Sequence, residues 1–178
     1  MSTPKTALKF YPAPSELKTP TDLTAKQASA IVEAINPLIA DAFALYLKTK
    51  NFHWHLAGSH FRDYHLMFDE HAEQLLAAAD PLAERVRKLG GTTLRSISQI
   101  SQLQTVLDDH DAFVPALEML RRLMKDNQTL TRNQRAAHEI CDKNGDYATS
   151  SLLEVMIYET ERRTWFLFEA LQGAEHTK

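Results

Sequence analysis

Glycine is confined to the joints of this sequence, at Gly58, Gly90-Gly91, Gly145 and Gly173. Between those joints apolar residues recur at three- and four-residue steps, which builds one face of a helix and not an alternating strand. The first stripe runs through Ile31, Ile35, Leu38, Ala42 and Leu45 to about Leu56, with Asp22 or Thr24 placed to cap it. Pro37 falls inside that stripe and should bend the helix rather than end it. A second helix is predicted from about His60 to Leu89, stopped by Gly90-Gly91. Pro115 suits the first turn of a third, which carries Leu117, Leu120, Leu123, Met124 and Leu130 to about Lys143. Asp146 can start a fourth, with Leu152, Leu153, Met156, Ile157, Trp165, Phe166 and Phe168, up to Gly173. Residues 92–110 hold no long stripe, so a short helix is expected between Leu94 and Leu107. The fold class is therefore all-α: a four-helix bundle with a short extra helix in the connection between helices two and three.

Four of the seven prolines, Pro4, Pro12, Pro14 and Pro20, sit before the first stripe. Residues 1–22 thus read as a flexible N-terminal tail, 23–173 as the bundle and 174–178 as a short C-terminal tail. A formal net charge of −3 gives the body no electrostatic reason to attract nucleic acid. DNA contact would have to come from a local basic segment or a surface patch that the sequence does not reveal; in the tail, Lys5, Lys9, Lys18 and nearby Lys26 slightly outnumber Glu16 and Asp22. Cys141 is the one cysteine, which excludes an intrachain disulfide and a CxxC metal site. No apolar run approaches the roughly 20 residues that span a bilayer, and the N-terminus lacks the apolar stretch of a signal peptide. The expectation is a cytoplasmic protein with no membrane partner.

Residues 53–84 concentrate imidazoles and carboxylates: His53, His65, Asp69, Asp80 and Glu84. His65 and Asp69 are four apart and share a helix face, and Asp80 and Glu84 repeat that spacing. Ligands of these types suit iron(II), manganese(II) or zinc, and carboxylates favour the higher charge of iron(III). One straight helix cannot bring the two pairs to one ion, because Asp69 and Asp80 are separated by roughly 16 Å along the axis. Either the chain has two separate weak sites, or two copies of the helix cross antiparallel and a two-fold dimer joins the pairs. Taken singly, each residue has a plainer reading. A lone histidine on an apolar face is commonly packed, and acidic residues at this spacing commonly form a solvated face.

The joint pattern is more specific. Asn51-Phe52-His53-Trp54-His55, then Tyr64-His65-Leu66-Met67-Phe68-Asp69, then Asp80-Pro81-Leu82-Ala83-Glu84-Arg85 before Gly90-Gly91, resembles the Dps family of ferritin-like mini-ferritins. The resemblance runs from about Leu23 to Gly173, including Trp165-Phe166 near the end of the fourth helix. It implies a ferroxidase, with His53, His65 and Asp69 from one subunit and Asp80 and Glu84 from its two-fold partner. Two iron ions would be oxidised there, by hydrogen peroxide in preference to oxygen, with zinc or manganese as substitutes. The iron(III) mineral would be stored inside a homododecamer, protecting DNA and cell from oxidative damage. Some members of the family also bind DNA directly. Pro81, inside the second helix beside two of the candidate ligands, should kink it.

Other residues follow from the same two sources. Trp54 reads as interface packing or, by resemblance, as an oxidisable group near iron. His55, His60 and His71 read as surface or supporting histidines, and Lys50 as a cation able to steady a site carboxylate. Asp146, Ser150 and Glu154 fall where the family lines an iron channel, although Asp146 also serves as a helix cap. Arg121-Arg122 and Arg162-Arg163 read as helix-surface or subunit-contact residues, and Cys141 as a buried small side chain. A DNA-compacting structural protein with a vestigial metal site is the alternative reading. A manganese catalase is disfavoured, since no Glu-x-x-His motif is present.

Overall fold

A computed structural model describes residues 8–172 and contains four long helices. They are α1 (Ala25–His55), α2 (Phe61–Lys88), α4 (Ala116–Lys143) and α5 (Tyr147–Leu171), with a short α3 (Ile97–Leu103) in the crossover between α2 and α4. The all-α four-helix bundle expected from the sequence is the fold observed.

The ends form for local reasons. Thr24 caps α1 through a capping box with Gln27. Asp146 caps α5 by accepting from the Thr149 backbone N–H at 3.1 Å. Gly145, between α4 and α5, has φ +74°, a left-handed conformation that glycine adopts without penalty. Gly91 is needed for space: a Cβ there would lie 2.6 Å from Val32 Cγ2.

α1 packs against α2 and α4 against α5, while α2 and α5 barely meet. The core is built from Ile31, Ile35, Ile39, Leu45 and Phe52 of α1 with Phe68, Leu75, Met119, Leu120, Leu123 and Leu153. One expectation is corrected here. α1 is long and apolar enough, by length and composition, to cross a membrane. Its apolar residues are the centre of this core, and it also buries Asn36 and Asp41, which is the pattern of a helix packed inside its own bundle.

The tail expectation divides. Residues 1–7 and 173–178, and with them the C-terminal tail expected at 174–178, lie outside the described residues. From Leu8 onward the segment lies against the body: Phe10 is buried, and the Thr92 N–H donates to the Phe10 carbonyl at 2.7 Å. Ala13 donates to Gly90 at 3.0 Å, and Arg87 holds the Leu17 carbonyl at 2.6 Å. An apolar anchor and three such bonds dock what the proline spacing alone presents as a free arm.

Two surface assignments are also corrected. Arg163 is buried, bonded to Asn127 and Thr160. His71 is buried beside Phe166, and burial pushes its pKa from 6.5 down to about 3, with Arg163 and Arg162 adding to the shift. The unfolded chain takes up a proton that the folded chain refuses. Neutral His71 therefore favours the fold fully above pH 6.5, and that advantage is lost as pH falls from 6.5 toward 3. The loss is at most about 1.4 kcal/mol per pH unit. His71→Gln should flatten the decline in stability between pH 7 and pH 5, read from thermal midpoints. An unchanged decline would place the acid sensitivity elsewhere.

Candidate metal centre

His53 lies in the last turn of α1, and His65 and Asp69 lie in the first turns of α2. The turn at 56–60 folds these two segments together. The rings of His53 and His65 stack with centroids 3.6 Å apart. Their hydrogen bonds are reciprocal: His53 Nδ1 donates to the His65 carbonyl at 2.8 Å, and His65 Nδ1 donates to the His53 carbonyl at 3.1 Å. A carbonyl can only accept, so each Nδ1 carries the proton. In the neutral rings both Nε2 atoms keep their lone pairs for a metal, and the backbone fixes both ring orientations.

Asp69 lies near this pair without converging on it. Lys50, on α1, makes an ion pair with Asp69 Oδ1. The Lys50 ammonium holds the Asp69 carboxyl below the usual carboxylate range, slight burial opposes it, and the nearby His53 and His65 act in the same direction as Lys50. The carboxylate is thus kept charged, and Lys50 takes the role the sequence suggested for it. The ion pair is half-exposed, so an arriving divalent cation can compete for the same oxygen.

Asp80 and Glu84 stand three turns further along α2 and are exposed. They line an open groove with Thr19, Arg87 and Lys88. Glu84 pairs with Lys88 at 3.0 Å on the solvent side. Among the described residues, no three His, Cys, Asp or Glu side chains of one chain converge to hold a metal. The chain therefore presents two half-sets: the stacked His53 and His65 with Asp69 near them but not converged on one point, and Asp80 with Glu84 apart. Sequence reasoning missed Thr19 and Arg87 beside the second half-set, because only docking of the N-terminal segment brings Thr19 there.

The surface around the histidines is apolar. Phe61 stacks on His65 with centroids 4.9 Å apart. Trp54, Phe61 and Leu66 are 60%, 46% and 49% exposed. Large exposed apolar groups beside a polar cluster are the mark of an interface.

The candidate channel residues behave differently from the expectation. Asp146 is buried and occupied: it accepts from Arg85 at 2.7 Å and caps α5. Ser150 is buried too. Only Glu154 of the three is exposed, where it meets His138 at 3.2 Å. Asp146 thus fills the helix-cap role that the sequence also offered for it, with its carboxylate shared between Arg85 and the start of α5. Cys141 is buried as expected, and burial pushes its thiol up to about 12.

A ferritin-like domain family matches residues 32–176. The DNA protection during starvation protein of Halobacterium salinarum is 32% identical over 140 residues, which cover 78% of this chain and 76% of that protein. The chain belongs to the Dps family. Solved Dps structures agree with this along almost the whole chain. DpsC from Streptomyces coelicolor superposes with a TM-score of 0.85 at 27% identity, covering 94% of this Dps chain and 96% of its own. The Dps protein of Vibrio cholerae O1 is described as one of a broad superfamily of ferritin-like diiron-carboxylate proteins. It gives a TM-score of 0.82 at 26% identity, covering 90% of this chain and 100% of that one.

Proposed function

We propose that this Dps-family protein oxidises iron(II) at a site shared by two subunits and stores the product as iron(III) mineral in a dodecameric shell. His53, His65 and Asp69 of one subunit would face Asp80 and Glu84 of its two-fold partner. The observation that carries the reading is the division of the ligands. Each half-set is too sparse to hold two irons, and about three turns of one helix keep them apart on a single chain. An antiparallel crossing of two α2 helices about a two-fold axis supplies both halves twice, and the exposed Trp54, Phe61 and Leu66 supply apolar surface to bury. Iron suits the donors: imidazole Nε2 and carboxylate oxygen, with no thiolate, leave positions open to an oxidant. Peroxide is the preferred oxidant. Each iron(II) gives one electron, and the O–O bond takes both and, with two protons, is cleaved to two waters. Pairing the irons avoids one-electron cleavage, which releases hydroxyl radical. Zinc and manganese would compete for the same donors. Contact with DNA is a secondary role, carried by the lysines near the N-terminus and multiplied by the number of subunits.

The test is anaerobic iron(II) oxidation by the purified protein with peroxide added in small steps. Consumption of two irons per peroxide, faster than in buffer, supports the proposal. Oxidation no faster than in buffer would remove it, and DNA compaction would then become the leading reading.

A further inference from the structure

Where α2 and α5 stand apart, the bundle contains a cavity of about 330 Å³, within the range of small-ligand sites. Its walls are mainly apolar, with Leu38, Leu75, Leu82, Leu130, Leu152 and Met156 among them. Besides Gln74, Glu159 and Thr160, the lining holds two buried polar side chains whose hydrogen-bonding capacity is not filled. The first is Arg163, which is only 3% exposed. Its Nε donates to Asn127 Oδ1 at 3.0 Å, one terminal nitrogen donates to Thr160 Oγ1 at 2.8 Å, and the other reaches Gln74 Oε1 at 3.4 Å. All three partners are neutral. Its neighbour Arg162 has carboxylates, Glu70 at 3.2 Å and Glu159 at 3.8 Å, while Arg163 forms no ion pair among the described residues. A guanidinium carries five N–H groups, so two remain unused. Glu159, which also lines the cavity, acts on Arg163 from beyond ion-pair distance, and a guanidinium buried without a hydrogen-bonded carboxylate is costly, which favours an anion that reaches its free N–H groups.

The second is Gln134. It is 5% exposed, lines the same cavity, and its Oε1 has no hydrogen-bond partner. Gln134 lies two turns along α4 from Asn127, the partner of Arg163, a separation of roughly 10 Å. The cavity thus has a cationic donor at one level, a neutral acceptor at another, and apolar walls between.

We propose that this cavity binds a small amphipathic monocarboxylate: the carboxylate sits on Arg163, the apolar chain fills the gap between α2 and α5, and a terminal hydroxyl donates to Gln134. A planar guanidinium with spare N–H groups is matched to a carboxylate and poorly matched to a neutral alcohol. The test uses octanoate, its terminally hydroxylated form and octanol as probes, titrated calorimetrically into the assembled wild-type protein. Octanoate should bind at least about tenfold more tightly than octanol, and the hydroxylated acid more tightly than octanoate. Ala78→Phe, in the cavity wall, should abolish binding by filling the space, and Arg163→Met should weaken octanoate at least about tenfold. Gln134→Leu should remove only the advantage of the hydroxylated acid. Failure of octanoate to bind wild type, or octanol binding as tightly as octanoate, would overturn the proposal, and neither result depends on a variant folding. Octanoate binding that survives intact in a folded Ala78→Phe protein would place the ligand elsewhere and overturn it as well.

Discussion

Replacing Asp80 with Asn and Glu84 with Gln together should slow iron(II) oxidation by peroxide about a hundredfold or more, since loss of groups that merely support a metal ligand already costs about ten- to a hundredfold. The substitutions keep shape and remove charge. Both side chains are exposed, and among the described residues Glu84 engages only Lys88, on the solvent side. Stability should therefore move by less than about 0.5 kcal/mol, as for other surface changes. That combination of large kinetic loss and intact fold separates a ligand from a structural residue. Stopped-flow absorbance of iron(III) gives the rate, and a thermal scan gives the fold. A rate within twofold of wild type would mean that these carboxylates do not touch the reacting iron.

The largest effect on stability should come from Asp41→Ala. Asp41 has no exposed surface. One of its oxygens accepts from the Thr105 N–H at 2.5 Å and the Val106 N–H at 3.1 Å, and the other from Thr105 Oγ1 at 2.8 Å and Asn133 Nδ2 at 3.2 Å. One carboxylate thereby ties α1 to the crossover just after α3 and to α4. Removing it leaves two backbone N–H groups at the crossover without an acceptor, each costing about 1–3 kcal/mol. A loss of about 3–5 kcal/mol is expected, read as a drop in the urea midpoint. Asp41→Asn should recover part of it, because the amide oxygen can still accept while the amide nitrogen cannot. A loss below about 1 kcal/mol for Asp41→Ala would show that the crossover is held by other contacts.

The bundle was legible because its signals are local. Glycine at the joints, Thr24 and Asp146 at the caps and the stripe from Ile31 to Leu45 each act within a turn or two of their own position. The pairing of Lys50 with Asp69 was also within reach, since the turn at 56–60 folds adjacent helix ends together. What the sequence hides is long-range. Asp41 and Thr105 are 64 residues apart and Arg163 and Asn127 are 36 apart. Nothing in their local patterns distinguishes Arg163 from its neighbour Arg162, yet one is buried and the other pairs with surface carboxylates. His71 is a similar case: a position on the apolar face of α2 overrides the polar reading of its side chain. The docked segment around Phe10 was hidden for another reason. A single aromatic among prolines carries no periodicity, and the backbone that holds the segment, Thr92 to Phe10 and Gly90 to Ala13, lies far along the chain.

A site that needs two subunits can be tested by mixing two inactive variants. His65→Ala and Asp80→Ala proteins are each prepared inactive, dissociated together and reassembled. In a mixed two-fold dimer one site carries both defects and the other carries neither. Iron(II) oxidation should reappear in the mixture, at a fraction of the wild-type rate set by how often unlike subunits pair. If the mixture stays as inactive as either parent while mass spectrometry shows that mixed shells have formed, the two half-sets do not meet across subunits and the shared site is wrong.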